Sequence, residues 1–337
     1  MAKKQITIID IAKELHLSKS TVSRALTGSK GIHPETRQKV LELAEKLDYQ
    51  QNLLALSLSK RKTNTIGVIV PNFASSYFPN IILGIQEVAE KAGFNVIICQ
   101  SSERYDIEIK NVKLMLANQV DGVLISLTRE TRIFDHLELF EKRGIPLVLF
   151  NRVCDEVRVP KVVVDDYEGA YRATEHLIKK GKKHIAHLGG PSFLLLSEKR
   201  LNGYKAALRK HQLPINEELI VSYNLDISRA KIYVNHLLNL DNPPDAIFAV
   251  NDPTAIEAIQ IIKKKGLQIP RDIAVVGFSD DALSTLIDPP LTTISQPVNE
   301  MGKIAAKQLL YQIETDPSSW KPIIKTLDTK LVVRKSS

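Results

Sequence analysis

Only two cysteines, Cys99 and Cys154, occur among 337 residues. Two thiols cannot build a disulfide framework or fill a four-ligand metal site, and they fit a reducing, cytoplasmic setting. No stretch reaches the ~18 apolar residues of a membrane span, so no membrane association is expected. The N-terminus, MAKKQITIIDIAKEL, has its apolar run broken by Asp10, Lys13 and Glu14, which excludes a signal peptide. The chain also lacks a Walker loop, a G-x-G-x-x-G and a G-x-S-x-G, the marks of phosphate, dinucleotide and acyl chemistry. His184 and His187 share a strand-like segment with no carboxylate at a metal-binding spacing. Asp165-Asp166 and Asp280-Asp281 sit after strands, where adjacent acids are usually turn or cap residues. No enzyme activity, metal or other cofactor is therefore expected.

What is present is an ordinary globular composition, 44% hydrophobic and 25% charged, with an uneven charge. Residues 1–63 hold 12 Lys and Arg against 6 Asp and Glu, so they carry +6 of the chain's +8. A basic head on a near-neutral body points to a polyanionic partner, although a merely solvated terminus would look the same by composition.

Three short helical patterns fill residues 7–47. Ile8, Ile11, Ala12 and Leu15 recur at helical spacing behind Thr7, with Asp10 placed for a capping box. After the break at His16-Leu17, Ser18 caps a second helix whose inner face is Val22, Ala25 and Leu26. Gly28 can take the left-handed conformation that ends it. A third helix starts at Pro34, with Val40, Leu43, Ala44 and Leu47 as its inner stripe. Two helices joined by a tight turn and braced by a third describe a helix-turn-helix. Its second helix exposes Lys19, Ser20, Ser23 and Arg24, groups suited to base edges and phosphates in a major groove. A plain helical bundle with a polar surface is the alternative.

TIIDIAKELHLSKSTVSRALTG followed by HPETRQKVLELAEKLDYQQN closely resembles the head of the lac repressor (LacI/GalR) family. The D-I-A, S-x-x-T-V-S-R-A-L and T-R-x-x-V signatures stand at the family spacing. The resemblance implies that Lys19 and Ser20 set operator specificity and that Arg24 is a further groove contact. It places Thr7, Ser18, Thr21, Ser23 and Asn52 against the DNA backbone. Residues 52–60, NLLALSLSK, are too short for a stable isolated helix and too leucine-rich for a linker. They are read as a hinge helix that folds against a partner. In the resembling family a leucine wedges the minor groove, at the position of Leu58 with Ala55 beside it; a strap packed on the body is the alternative. The match is imperfect. Tyr49-Gln50-Gln51-Asn52 lacks the family's usual proline, and Ala55-Leu56 replaces its Ala-Arg, with Lys60, Arg61 and Lys62 offsetting part of the lost charge.

From residue 64, apolar β-branched strands alternate with helical patterns. Strands are expected near Ile66, Asn95, Val123, Leu147, Val162, Ile185, Ala246 and Ala274. The helices include 77–92, 167–180, 253–265 and 299–312. This alternation means parallel sheets covered on both faces, and more than one sheet. IGVIVPNFASSYF, DGVLIS, HLIKKGKKHIAHLGGP, R-L-N-G-Y, AIFAVND, IPRDIAVVGF and DPPLTTISQP resemble the sensor half of the same family, itself similar to periplasmic sugar-binding proteins. The expected organisation is an all-α helix-turn-helix head at 1–50, a hinge at 51–63, and an α/β sensor at 64–334. The sensor would comprise two doubly wound, periplasmic-binding-protein-like subdomains. The first covers about 64–162 and 293–322, the second about 163–292 and 323–334.

A small effector would bind between these subdomains, outside the carboxyl ends of the strands. Tyr77 and Phe78 follow the first strand and are placed to stack on a ring, or to fill core. Arg200 in R-L-N-G-Y matches a family effector-binding arginine; without the resemblance it would read as a salt bridge. Asn251 follows a buried strand, where it can face the crevice or cap a helix. Ser279 stands where many sugar-responsive members carry an aspartate, with Asp280 after it. That departure, together with the apolar Leu194-Leu195-Leu196, leaves sugar, sugar derivative and nucleobase-like ligands all open. The chain is thus expected to be a ligand-controlled, sequence-specific transcriptional repressor acting on double-stranded operator DNA. A homodimer is expected because nothing after Arg334 can form a tetramerising helix. The rival classes are a transporter's solute-binding protein, opposed by the basic head, and an enzyme on a doubly wound fold, opposed by the missing motifs.

Overall fold

The computed structural model describes residues 6–29, 31–49, 62–316 and 321–337. Contacts divide the chain into two units, residues 1–63 and 64–337.

The head is three helices, α1 (Ile8–Glu14), α2 (Lys19–Leu26) and α3 (Pro34–Lys46). The Asp10 carboxylate accepts from the Thr7 backbone N–H at 2.8 Å and the Thr7 hydroxyl at 2.6 Å, closing the first turn of α1. His16 has φ 52°, and the Leu17 N–H donates back to the Ala12 carbonyl at 2.9 Å, so the chain turns within two residues. The Ser18 hydroxyl then caps α2 by accepting from the Thr21 N–H at 3.1 Å. Ile11, Val22, Ala25, Val40 and their neighbours form one small core.

The body contains two six-stranded sheets. The first comprises β1 (Thr65–Val70), β2 (Asn95–Gln100), β3 (Gly122–Ile125), β4 (Leu147–Phe150), β5 (Lys161–Val164) and β11 (Ile324–Leu327). Their order is β11-β5-β4-β3-β1-β2, parallel throughout. Around it lie α4 (Tyr77–Lys91), α5 (Tyr105–Ala117), α6 (Asp135–Lys142) and, from much later in the chain, α11 (Val298–Glu314). The second sheet comprises β6 (Ile185–Gly189), β7 (Ile220–Ser222), β8 (Ala246–Ala249), β9 (Ala274–Ser279), β10 (Thr292–Ser295) and β12 (Lys330–Val332). Their order is β12-β10-β9-β8-β6-β7, with only β12 antiparallel. Its helices are α7 (Asp166–Lys179), α8 (Leu195–Lys210), α9 (Ile227–Leu238) and α10 (Asp252–Lys264). Runs such as TIGVIV and KVVV are buried along nearly their whole length, as covered parallel strands require.

The chain crosses between the sheets three times, and the crossings correct the expected subdomain limits. Residues 163–164 belong to the first sheet because β5 runs to Val164. Residues 293–295 pair in the second sheet, since β10 bonds β9, so that crossing comes after Ser295. Residues 324–327 pair with β5 in the first sheet, and the last crossing follows Leu327. Strand pairing decides membership here, and a single short strand such as IKTL carries no signal of which sheet it joins.

Candidate functional site: a helical DNA-reading face and an inter-sheet cleft

At 3.6 residues per turn, Lys19, Ser23, Ser20 and Arg24 fall within an arc of roughly 140° on α2. Val22 and Ala25 lie on the opposite side, buried at 0% and 1% exposure. Lys19, Ser20 and Arg24 are exposed, and Ser23 and Thr21 are half-buried. The Ser18 hydroxyl lies 2.8 Å from both the Ser20 and Thr21 hydroxyls, and the Arg24 Nε–H donates to the Ser20 carbonyl at 3.4 Å. The start of α2 thus presents a preorganised cluster of hydroxyls flanked by two cations. Thr7 is exposed at the start of α1. Asn52, Ala55 and Leu58 lie outside the described residues.

In the body, loops after β1, β2, β4, β8 and β9 converge at the carboxyl ends of the strands and enclose a cleft of about 130 Å³. From the first half come Asn72, Ser75, Tyr77, Phe78, Glu103, Asn151 and Arg152. From the second come Leu196, Arg200, Leu225, Asn251, Ser279 and Asp281, with Gln296 on a crossing segment. This volume is below the roughly 300 Å³ of a typical small-ligand pocket.

Arg200 is 4% exposed. Its guanidinium donates to Asp166 Oδ1 at 2.8 and 2.7 Å and to the Val250 carbonyl, and lies 3.6 Å over the Phe278 ring. Gly203, one turn further along α8, makes this possible: a Cβ there would sit 2.2 Å from the Tyr167 carbonyl, so only glycine lets α8 lie so close to α7. On the other wall the Arg152 guanidinium donates to Glu103 at 2.7 Å, and Asn72 and the Arg129 N–H also donate to Glu103. Burial pushes the Glu103 carboxyl up, but the charge and hydrogen bond of Arg152, with the backbone N–H and charge of Arg129, outweigh it and hold it below the usual carboxylate range. Both cleft arginines are therefore neutralised in place. The Tyr77 hydroxyl lies 2.9 Å from Asn151 Oδ1 and 2.8 Å from Gln296 Oε1, tying the first half to the crossing segment. Burial drives its pKa well up, so it stays a neutral donor. Across the cleft, Ser76 donates through both its N–H and hydroxyl, each at 3.0 Å, to Asp281 Oδ2. The Ala282 N–H donates back to the Ser76 hydroxyl at 3.2 Å.

A helix-turn-helix head and a two-sheet body with a cleft at its strand ends agree with the comparisons. Residues 7–52 match the bacterial regulatory proteins of the lacI family. Residues 63–329 match the periplasmic binding proteins and sugar binding domain of the LacI family. The chain belongs to the LacI family.

This LacI-family regulator is 33% identical over 305 residues to catabolite control protein A of Priestia megaterium, covering 90% of this chain and 91% of the relative. It is 31% identical over 330 residues to the ribose operon repressor of Haemophilus influenzae, covering 98% of each. The solved lac repressor dimer bound to operator and the anti-inducer ONPF superposes with a TM-score of 0.86 at 26% identity, covering 99% of each chain. The regulator is a transcriptional repressor of the family type, not an enzyme, with an operator-binding head and a sensor for a small effector. Among the described residues no helix is long and apolar enough to cross a membrane.

The cleft brings together Tyr77, Phe78, Arg200, Asn251 and Ser279, and corrects Asp280. The backbone swings through φ 140° at Ser279 and 59° at Asp280, which turns Asp280 out of the cleft. Its carboxylate pairs with Arg334 at 2.6 Å. Asp281 lines the cleft instead. Asn251 both faces the cleft and caps α10, accepting from the Thr254 N–H at 3.0 Å. Phe78 is 5% exposed and belongs to the core as well as to the cleft wall. Asn72, Glu103, Asn151, Arg152 and Gln296 were missed in the sequence. Each stands one to three residues past a strand, the same signal that singled out Asn251.

Proposed function

We propose that this repressor binds a polyhydroxylated small molecule, a sugar or an uncharged sugar derivative, in the inter-sheet cleft, and that occupancy changes its operator affinity. The observation that carries this is the wall chemistry. Amides from Asn72, Asn151, Asn251 and Gln296 and hydroxyls from Ser75, Tyr77 and Ser279 meet an aromatic edge, while both arginines are already neutralised. Hydroxyl-rich ligands need many neutral donors and acceptors and one apolar face. The name of the ribose operon repressor points the same way for a relative. Because residues of both halves line the cleft, a ligand there has different affinity for open and closed arrangements, which is what coupling requires.

At the other end, Lys19 and Ser20 read bases, Arg24 adds a groove contact, and Thr7, Ser18, Thr21 and Ser23 hold the DNA backbone. Two copies of the chain would place two heads on a two-fold-symmetric operator in the cytoplasm. Residues 51–63 would act as the hinge, with Asn52 on the DNA backbone and Ala55 and Leu58 at the minor groove. A thermal-shift screen of sugars, sugar phosphates and nucleobases, followed by operator titration with each hit, tests the proposal. A neutral sugar that raises Tm and changes operator Kd is expected. Stabilisation by nucleobases alone would overturn the assignment of ligand class.

A further inference from the structure

A second recess, of about 470 Å³, opens outside the cleft where the two halves of the body meet. One wall is the segment after β3, with Arg129 and Arg132. The other is Ser192 and Phe193 after β6, and Tyr223 and Asn224 around the end of β7. Its cations differ from those of the cleft. Arg152 and Arg200 each hold a carboxylate, whereas neither Arg129 nor Arg132 has an ion-pair partner among the described residues. Arg129 is half-buried, and its charge reaches Glu103 and Asp226 without a direct ion pair to either. Its backbone N–H is fixed on Glu103 at 3.0 Å, which holds the segment in place. The Arg132 guanidinium lies 4.3 Å over the Phe193 ring, a contact that reaches from one half to the other. Stacking of this kind positions the guanidinium while leaving its edge N–H groups free to donate. One acid, Glu130, also lines the recess, its carboxylate accepting from the Tyr105 N–H at 3.0 Å, and nearby Asp226 caps α9 by accepting from the Ser228 N–H and hydroxyl.

We propose that this recess is an anion subsite for the phosphate or carboxylate of a small sugar derivative, distinct from the neutral cleft. Arg129 and Arg132 supply the charge, and Ser192 and Asn224 supply neutral polar groups. Because the recess is walled by both halves, an anion there favours the arrangement that brings them together, and so acts on the same equilibrium as a cleft ligand. The subsite does not depend on what fills the cleft, since a free oxyanion presents the same chemistry.

Calorimetric titration of the full chain with inorganic phosphate, ribose 5-phosphate and ribose at fixed ionic strength tests this. Ribose 5-phosphate is expected to bind more tightly than ribose, and Arg129→Gln with Arg132→Gln should weaken it by about ten- to a hundredfold, the worth of hydrogen bonds to charged groups. Ribose binding and operator binding without ligand should be unchanged. Arg132→Gln alone, at an exposed position, gives a variant whose folding is not at issue and should show part of the loss. Phosphate binding that the double variant loses, with no neutral sugar of the screen bound, would support the subsite while failing the cleft assignment. Anion binding that survives in the double variant, or no anion binding by the wild type, would overturn the proposal.

Discussion

Arg200→Ala should destabilise the protein before it says anything about ligand. The family resemblance casts this arginine as a ligand contact. The structure gives it a larger duty: its guanidinium satisfies Asp166, whose side chain is 5% exposed, and also serves the Val250 carbonyl. Removing one partner of a buried pair leaves an uncompensated charge and costs about 3–5 kcal/mol. That is a large share of the 5–15 kcal/mol typical of a folded protein. Loss of the contact with Phe278 adds to it. Urea unfolding of the body, followed by intrinsic fluorescence, should show the midpoint fall accordingly. Asp166→Asn combined with Arg200→Met removes both charges, and replacing a buried pair by neutral groups of similar volume is often near neutral. The double variant should therefore recover at least ~1 kcal/mol relative to the sum of the two single changes. If Arg200→Ala unfolded within about 0.5 kcal/mol of wild type, the range of a change at an unimportant surface site, or if the two changes were additive, the buried-pair account would be wrong.

His187 lies 1% exposed between the Tyr204 and Phe248 rings, its Nδ1 3.1 Å from the Phe248 carbonyl and its Nε2 buried without a hydrogen-bond partner among the described residues. Burial lowers its pKa from 6.5 to about 4. The neutral ring is the form that the fold prefers. Its contribution is full above pH 6.5 and is lost as pH falls toward 4, about 3 kcal/mol in all; His187→Gln should flatten that limb of the stability–pH curve, and an unchanged slope would refute the cause. Ser76→Ala deletes the hydroxyl that bridges the cleft to Asp281, so closure should weaken and effector affinity fall about two- to tenfold, one neutral-to-modest hydrogen bond's worth; unaltered affinity by calorimetry would show that the bridge does not hold the liganded state. Lys19→Ala with Ser20→Ala should change the motif recovered by selection on randomised DNA while leaving Tm unchanged, and recovery of the wild-type motif would remove both residues from base reading.

The architecture was legible because β-branched runs alternating with amphipathic helices leave few other folds. The head was legible down to its caps, since Thr7, Asp10, Ser18 and Gly28 act through local spacing alone. The strands β7, β10, β11 and β12 were not, being three or four residues long with no apolar run to mark them. The cleft was half legible. Residues just past a strand can be nominated, but whether a side chain faces ligand or a neighbour depends on partners far away in sequence. Asp280 pairs with Arg334, 54 residues on, and Asp281 reaches Ser76, 205 residues back. The backbone turn at Ser279 that exchanges the two aspartates has no signature in the local sequence.

The central claim, that the cleft and the DNA-reading face share one equilibrium, is tested most directly by a reciprocal titration. Operator Kd is measured by fluorescence anisotropy with and without saturating ligand from the screen, and ligand Kd is measured with and without saturating operator. The account predicts that both constants change by the same factor, on the order of 5- to 150-fold. An operator Kd that ignores the ligand, or two factors that disagree, would contradict it.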